Sequence, residues 1–284
     1  MARDRTEHEH PPVAGPRANL LSVLSVGLLG LFVLFILSLI VADVAYLGRR
    51  DYPPSEFWRN LTAPEVLAAI RLSVISSLIT LGLVILFSVP IGYALSRFAF
   101  RGHTLVNTIV DVPIVLPPII TGISLLVLFG SSVGRAIEDG LYSATGWRLA
   151  SLIGIVMCQF LVSVSYSIRA CKASFDSVDR QLEDVAMTLG CSPWGAFWRV
   201  AVPLARNGLV AGSVMAWARA VGVFGPIMVF VGTMTHVRVM PTAIWLELST
   251  GRIEVSIAIS LVMLLMAAGA LAVVHWLAPG RKWT

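Results

Sequence analysis

Asp176-Ser-Val-Asp-Arg-Gln-Leu-Glu-Asp-Val-Ala-Met-Thr-Leu-Gly190 runs directly into Cys191-Ser-Pro-Trp-Gly-Ala-Phe-Trp-Arg-Val-Ala-Val-Pro203. Leu182, Val185, Ala186 and Leu189 recur at helical spacing. Gly190 suits the residue after a helix, because glycine enters the left-handed region cheaply. Ser192 and Pro193 read as an N-cap and a first helical position. Trp194, Phe197, Trp198 and Ala201 make a second apolar face, and Pro203 is expected to stop that helix. The stretch is therefore a helix-turn-helix lying outside a bilayer. Periodicity alone leaves two readings open. One is an amphipathic hairpin anchored at the interface. The other is a docking surface for a soluble partner, since Ala186 and Gly190 permit close backbone approach.

The flanks put this hairpin in a membrane protein. Leu20 to Ala42 is almost wholly apolar. At 1.5 Å per residue, its roughly 23 residues cross a hydrocarbon core about 30 Å thick. That run exceeds the apolar region of a cleaved signal peptide, about 7 to 15 residues. Further spans are expected over 69–96, 108–130, 150–171, 207–231 and 254–277. The second is overlong and expected to tilt. The third contains Asp111, Pro113, Pro117 and Pro118 near its start. Its first turns are expected to be irregular, which a membrane tolerates only where protein or a cavity surrounds the backbone.

Six spans place both termini on one side. The Lys/Arg balance leans slightly toward cytoplasmic termini. The organisation read from the sequence is a disordered cytoplasmic tail at 1–19, a transmembrane domain over 20–277, a hairpin loop at 172–206 and a short cytoplasmic tail at 278–284.

Composition agrees. Of 284 residues, 57% are hydrophobic and only 13% charged, too few charges to cover a water-facing surface. The net charge of +5 sits on scattered residues such as Arg97, Arg101, Arg199 and Arg206. No dense track exists for a phosphate backbone, so nucleic acid is excluded as a partner. Cys158, Cys171 and Cys191 have neither disulfide nor zinc spacing. His8 and His10 lie in a solvated tail, and no metal site is expected. His275 has no companions that would make a catalytic cluster. No catalytic residue is assigned.

The hairpin resembles the "EAA" loop of permease subunits in ATP-binding-cassette (ABC) importers. That pattern is Glu-Ala-Ala, three residues, Gly, nine residues, Ile-x-Leu-Pro. Here it reads Asp184-Val185-Ala186, three residues, Gly190, nine residues, Val200-Ala201-Val202-Pro203. Asp184 replaces Glu, Val185 the first Ala, Val200 Ile and Val202 Leu. The resemblance implies an all-α membrane protein with six transmembrane helices, in the type I ABC importer permease fold with a cytoplasmic coupling-helix hairpin. It implies that Asp184, Ala186 and Gly190 dock on a cytoplasmic ATPase, with Pro203 at the exit of the docking segment. A phosphate-cradling loop needs Gly-Lys-Ser/Thr. The lysines, Lys172 and Lys282, follow Cys171 and Arg281, so ATP and Mg²⁺ are expected on the partner ATPase and no cofactor on this chain.

Gly212, Met215, Arg219, Gly222 and Pro226 are spaced 3, 4, 3 and 4 apart, one face of a helix. An arginine in hydrocarbon is costly and is expected to face protein or water. It either pairs internally, with Asp111 a possible mate, or stands beside an anion's path. The run Ala218-Arg-Ala-Val-Gly-Val-Phe-Gly225 is similar to the Ala-Arg-Ala-x-Gly-Glu-Phe/Tyr-Gly of the molybdate, tungstate and sulfate branch of these permeases, with Val223 in place of the Glu. Asp111–Pro118 and Met240–Gly251 resemble the same branch. The resemblance implies a translocation path past Met215, Arg219, Gly222, Phe224 and Pro226 for a tetrahedral oxyanion, tungstate or molybdate. Other cargoes of such importers (sulfate, phosphate, ferric ion, polyamine) remain open. An ion-coupled secondary transporter is disfavoured by the shortage of intramembrane carboxylates.

The implied assembly is a homodimer of permease chains, two cytoplasmic ATPase subunits and an extracytoplasmic substrate-binding protein. It would sit among lipid in a bacterial or archaeal inner membrane.

Overall fold

The computed structural model describes residues 16–48, 53–146, 151–232 and 238–277, all helix and connection. In chain order the helices are α1 (Pro16–Leu47), α2 (Pro54–Leu61), α3 (Pro64–Arg97), α4 (His103–Val115), α5 (Pro118–Gly130), α6 (Ser132–Thr145) and α7 (Leu152–Asp176). There follow α8 (Arg180–Thr188), α9 (Pro193–Ala196), α10 (Val202–Val221), α11 (Gly225–Phe230), α12 (Met240–Ser249) and α13 (Ile253–Leu277).

Two units are distinct, Met1–Pro54 and Ser55–Thr284. The first is built on α1, whose apolar side chains occur on every side, as a helix in hydrocarbon requires. It starts at Pro16, so four residues assigned to a disordered tail are helical. Proline is preorganised for a first helical turn. The rest of that tail, and the tail at 278–284, lie outside the described residues.

The second unit is organised around α7, the most buried of its long helices. α3 lies along α7, and α10 packs against both. Small and hydroxyl side chains line the contact. On α3 the buried residues Ser73, Ser76, Ser77, Thr80, Val84, Ser88 and Gly92 fall at helical spacing. Thr80 Oγ1 donates to Gln159 Oε1 (2.9 Å), Gln159 Nε2 to Ser76 Oγ (3.2 Å), and Ser167 Oγ to Ser88 Oγ (2.8 Å). Ser77 accepts from Trp217 Nε1 of α10 (3.1 Å), and Ser73 from the backbone N–H of Met240 on α12 (2.7 Å). A Cβ on Gly92 would lie 2.6 Å from Cys171 Cβ. Where lipid is as apolar as the side chains, such close approach and interhelical hydrogen bonding drive association.

Among the described residues α1, α3, α7 and α13 are each long and apolar enough to cross a membrane. Two of the six expected spans are interrupted. Residues 108–130 are not one helix: α4 and α5 meet at 108°. Leu116 precedes Pro117 and is extended (φ −67°, ψ 134°), the conformation that a following proline ring imposes. The span at 207–231 is α10, a break at Gly222–Phe224 and then α11. Pro226 has no N–H for the Gly222 carbonyl, so the helix cannot continue, and the ring enters the first turn of α11 instead.

Candidate functional site

The hairpin is closed by backbone chemistry at both helix ends. Asp179 caps α8, accepting from the N–H of Gln181 (2.9 Å). At the turn Gly190 takes φ +93°. Its N–H donates to Met187 O (3.0 Å), and the N–H of Cys191 donates to Ala186 O (3.0 Å). This paired arrangement is the Schellman closure, which satisfies two terminal carbonyls and requires the left-handed residue that glycine supplies. Ser192 then caps α9, accepting from the N–H of Gly195 (3.1 Å), with Pro193 first in the helix.

Pro203 does not stop the second helix. Phe197–Ala201 form a π turn, and the N–H of Val202 donates five residues back to Phe197 O. The widened turn relieves the clash of the Pro203 ring with the preceding carbonyls, and the ring needs no donor there. The helix runs on as α10.

Burial on α8 is inverted. Leu182, Val185 and Leu189 are exposed, Leu189 to 83%, while Glu183 is 4% exposed. Asp184 and Gly190 are exposed, and Ala186 is half-buried. Glu183 is held from below: Arg97 Nε donates to its Oε1 (2.8 Å) and Tyr93 OH to its Oε2 (2.6 Å). Arg97 Nη2 also reaches Val178 O (3.0 Å), and Arg180 Nη1 reaches Arg97 O (3.1 Å). The Tyr93 ring packs edge-on against Phe175 (5.2 Å) and Phe197 (4.7 Å). The hairpin is thus bolted to the end of α3 by a buried, fully bonded ion pair, with its apolar side turned outward. Sequence reasoning missed Arg97 and Glu183. The usable signal was a second carboxylate, beside Asp184, in a helix whose apolar residues were read as an anchoring or docking face.

A pocket of about 320 Å³ opens at the break after α10. Arg219, Gly222 and Phe224 line it with Pro118 and Val162. Arg219 lies over Tyr166, its Cζ 4.8 Å from the ring centroid. A guanidinium on a ring face is held by the quadrupole without losing its charge. Asp111 is not its mate: that carboxylate pairs with Arg169 of α7. Among the described residues no carboxylate pairs with Arg219.

The expected single face also divides. Met215 is exposed, but Gly212 is buried against Ala170. Pro226 is buried against Gly122, where a Cβ would lie 2.6 Å from Pro226 Cα. Both serve packing between helices. Tyr166 and Arg169, overlooked in the sequence, sit four and seven residues after Val162, on its face of α7.

The family profile described as binding-protein-dependent transport system inner membrane component matches residues 88–283. This chain belongs to that family. It is therefore a membrane component of a transport system and not an enzyme. Among relatives, the chain is 36% identical over 224 residues to a probable molybdenum ABC transporter permease protein of Haloferax volcanii, covering 78% of this chain and 79% of that one. It is 34% identical to a molybdate/tungstate transport system permease protein of Thermococcus kodakarensis, over 79% and 83% of the two chains. A bacterial ABC transporter involved in import of the acidic polysaccharide alginate contains a chain of the same fold. The match has a TM-score of 0.69 at 18% identity, covering 92% of this chain and 94% of that one. The same fold recurs at 19% identity in that transporter's complex with an alginate pentasaccharide-bound periplasmic protein. The family's all-α permease architecture is the one the sequence led us to expect.

Proposed function

We propose that this chain is the permease subunit of an ATP-driven importer and forms the path for a tetrahedral oxyanion, molybdate or tungstate. The observation that carries the cargo is Arg219: a cation with no carboxylate paired to it among the described residues, on the wall of a pocket at a broken helix. A doubly charged anion crossing a low-dielectric region gains most from a fixed charge that nothing else neutralises. The names of the relatives in Haloferax and Thermococcus support the same class of cargo.

The hairpin supports the coupling role. A short amphipathic helix that buries Glu183 and, with its C-cap, exposes Leu182, Val185 and Leu189 has an apolar surface awaiting a partner. In this reading Asp184, Ala186 and Gly190 contact a cytoplasmic ATPase, which holds ATP and Mg²⁺. Pro203, at the end of the π turn, carries that contact into α10. The hairpin and both termini are cytoplasmic. Two copies of this chain pair to enclose the path, two ATPase subunits bind below, and a binding protein delivers the anion from outside. The permease makes and breaks no covalent bond; it alternates its openings as the ATPases close.

The test is ATPase activity of the reconstituted complex with binding protein loaded in turn with molybdate, tungstate, sulfate, phosphate, ferric ion or polyamine. Stimulation by molybdate or tungstate is expected. Stimulation by another cargo with none from these two would reject the proposal.

A further inference from the structure

We propose that Arg169 is a second oxyanion site, occupied in this structure by the carboxylate of Asp111; this deepens the reading of the Arg219 pocket and rests on it. Val162, Tyr166 and Arg169 follow one another on one face of α7 at spacings of four and three. Val162 lines the Arg219 pocket, Tyr166 lies under the Arg219 guanidinium, and Arg169 comes about one turn nearer the hairpin. Between Val162 and Cys171 only Tyr166, Arg169 and Ala170 of this central helix escape burial. An anion leaving Arg219 toward the hairpin meets this stripe.

Arg169 is not free to receive it. Its Nε and Nη2 each contact one oxygen of Asp111, and Nη2 also donates to Asn107 O (3.2 Å). Two parallel N–H···O contacts are the geometry by which a guanidinium takes any planar or tetrahedral oxyanion. Asp111 is thus an internal stand-in for cargo. The pair is open to its surroundings, with side chains 34% and 39% exposed, so an incoming anion can compete. The stand-in can also leave. α4, which carries Asp111 and Asn107, has no buried residue and joins α5 through the 108° bend at Pro117. An oxyanion taking Arg169 releases α4 from α7, and the returning carboxylate expels the oxyanion and closes the step again.

The experiment uses the complete complex in proteoliposomes with molybdate as the probe. It reads ATP-driven uptake and, separately, passive efflux from preloaded vesicles without ATP. Asp111→Asn leaves Arg169 uncovered, and passive efflux is expected to rise about tenfold, the effect of one contact of about 1.4 kcal/mol. Asp111→Asn combined with Arg169→Gln keeps an amide pair between α4 and α7 but no charge. It is expected to abolish that leak and to lower ATP-driven uptake about tenfold. Wild-type uptake in the double variant, or wild-type efflux in the single one, would mean the pair takes no part in the path and overturns the proposal. If the single variant fails to assemble, uptake by the double variant decides alone. A wild-type complex that couples ATP to uptake of another solute, and never of molybdate or tungstate, fails the cargo reading first and this inference with it.

Discussion

Arg97 and Arg219 both stand at the ends of long helices, and their surroundings are opposites. Arg97 is 8% exposed. Its hydrogen bonds go to Glu183, Val178 O and Ser96 Oγ, and Glu183 takes a further bond from Tyr93. Arg219 is exposed and has a ring face beneath it. The first arginine is neutralised and locked; the second keeps its charge for whatever enters the pocket. A buried ion pair whose bonds are complete fixes a structure, because losing either member strands the other. A cation on a ring is positioned at small cost to its reach.

The comparison breaks most visibly at Glu183. Glu183→Ala leaves Arg97 buried without its carboxylate, which costs about 3 to 5 kcal/mol. The expected result is a lower unfolding temperature in detergent and loss of ATPase subunit on co-purification. Retained stability would mean the pair is not the bolt. A smaller effect is expected at the turn. Gly190→Ala forces a left-handed L-residue, costing about 1 to 2 kcal/mol. It is expected to weaken co-purification of the ATPase without preventing insertion, as measured by subunit ratio in the purified complex. An unchanged ratio would show that the turn's conformation does not govern docking.

The hairpin was legible because its signals are local. A glycine after an apolar run and Ser-Pro at the next helix start specify backbone bonds among near neighbours. The prolines were legible only as missing donors. Pro117 yields a sharp bend, Pro203 a π turn inside a continuous helix, and Pro226 a restart after a break. Which response occurs depends on packing that one-dimensional reading does not contain.

Asp111 was visible as a mate for an arginine, but Arg169 and Arg219 were equally available to a reader of the sequence. The α3 stripe from Ser73 to Gly92 was present at 3.6 periodicity and was hidden by the overall hydropathy of the segment. On α8 the same periodicity identified the apolar face, and the structure turns that face outward. Period tells which residues share a side; it does not tell which side meets the bundle.

The central claim is that Arg219 offers an uncompensated charge to an anion in transit. Its most direct test is ATP-driven molybdate or tungstate uptake by the complete complex carrying Arg219→Gln. Loss of a charge-assisted cation–anion contact predicts uptake lowered at least about tenfold, with assembly and unfolding temperature close to wild type. Uptake at the wild-type rate would contradict the claim, and a fall matched by loss of assembly would place Arg219 with Arg97 as a structural charge.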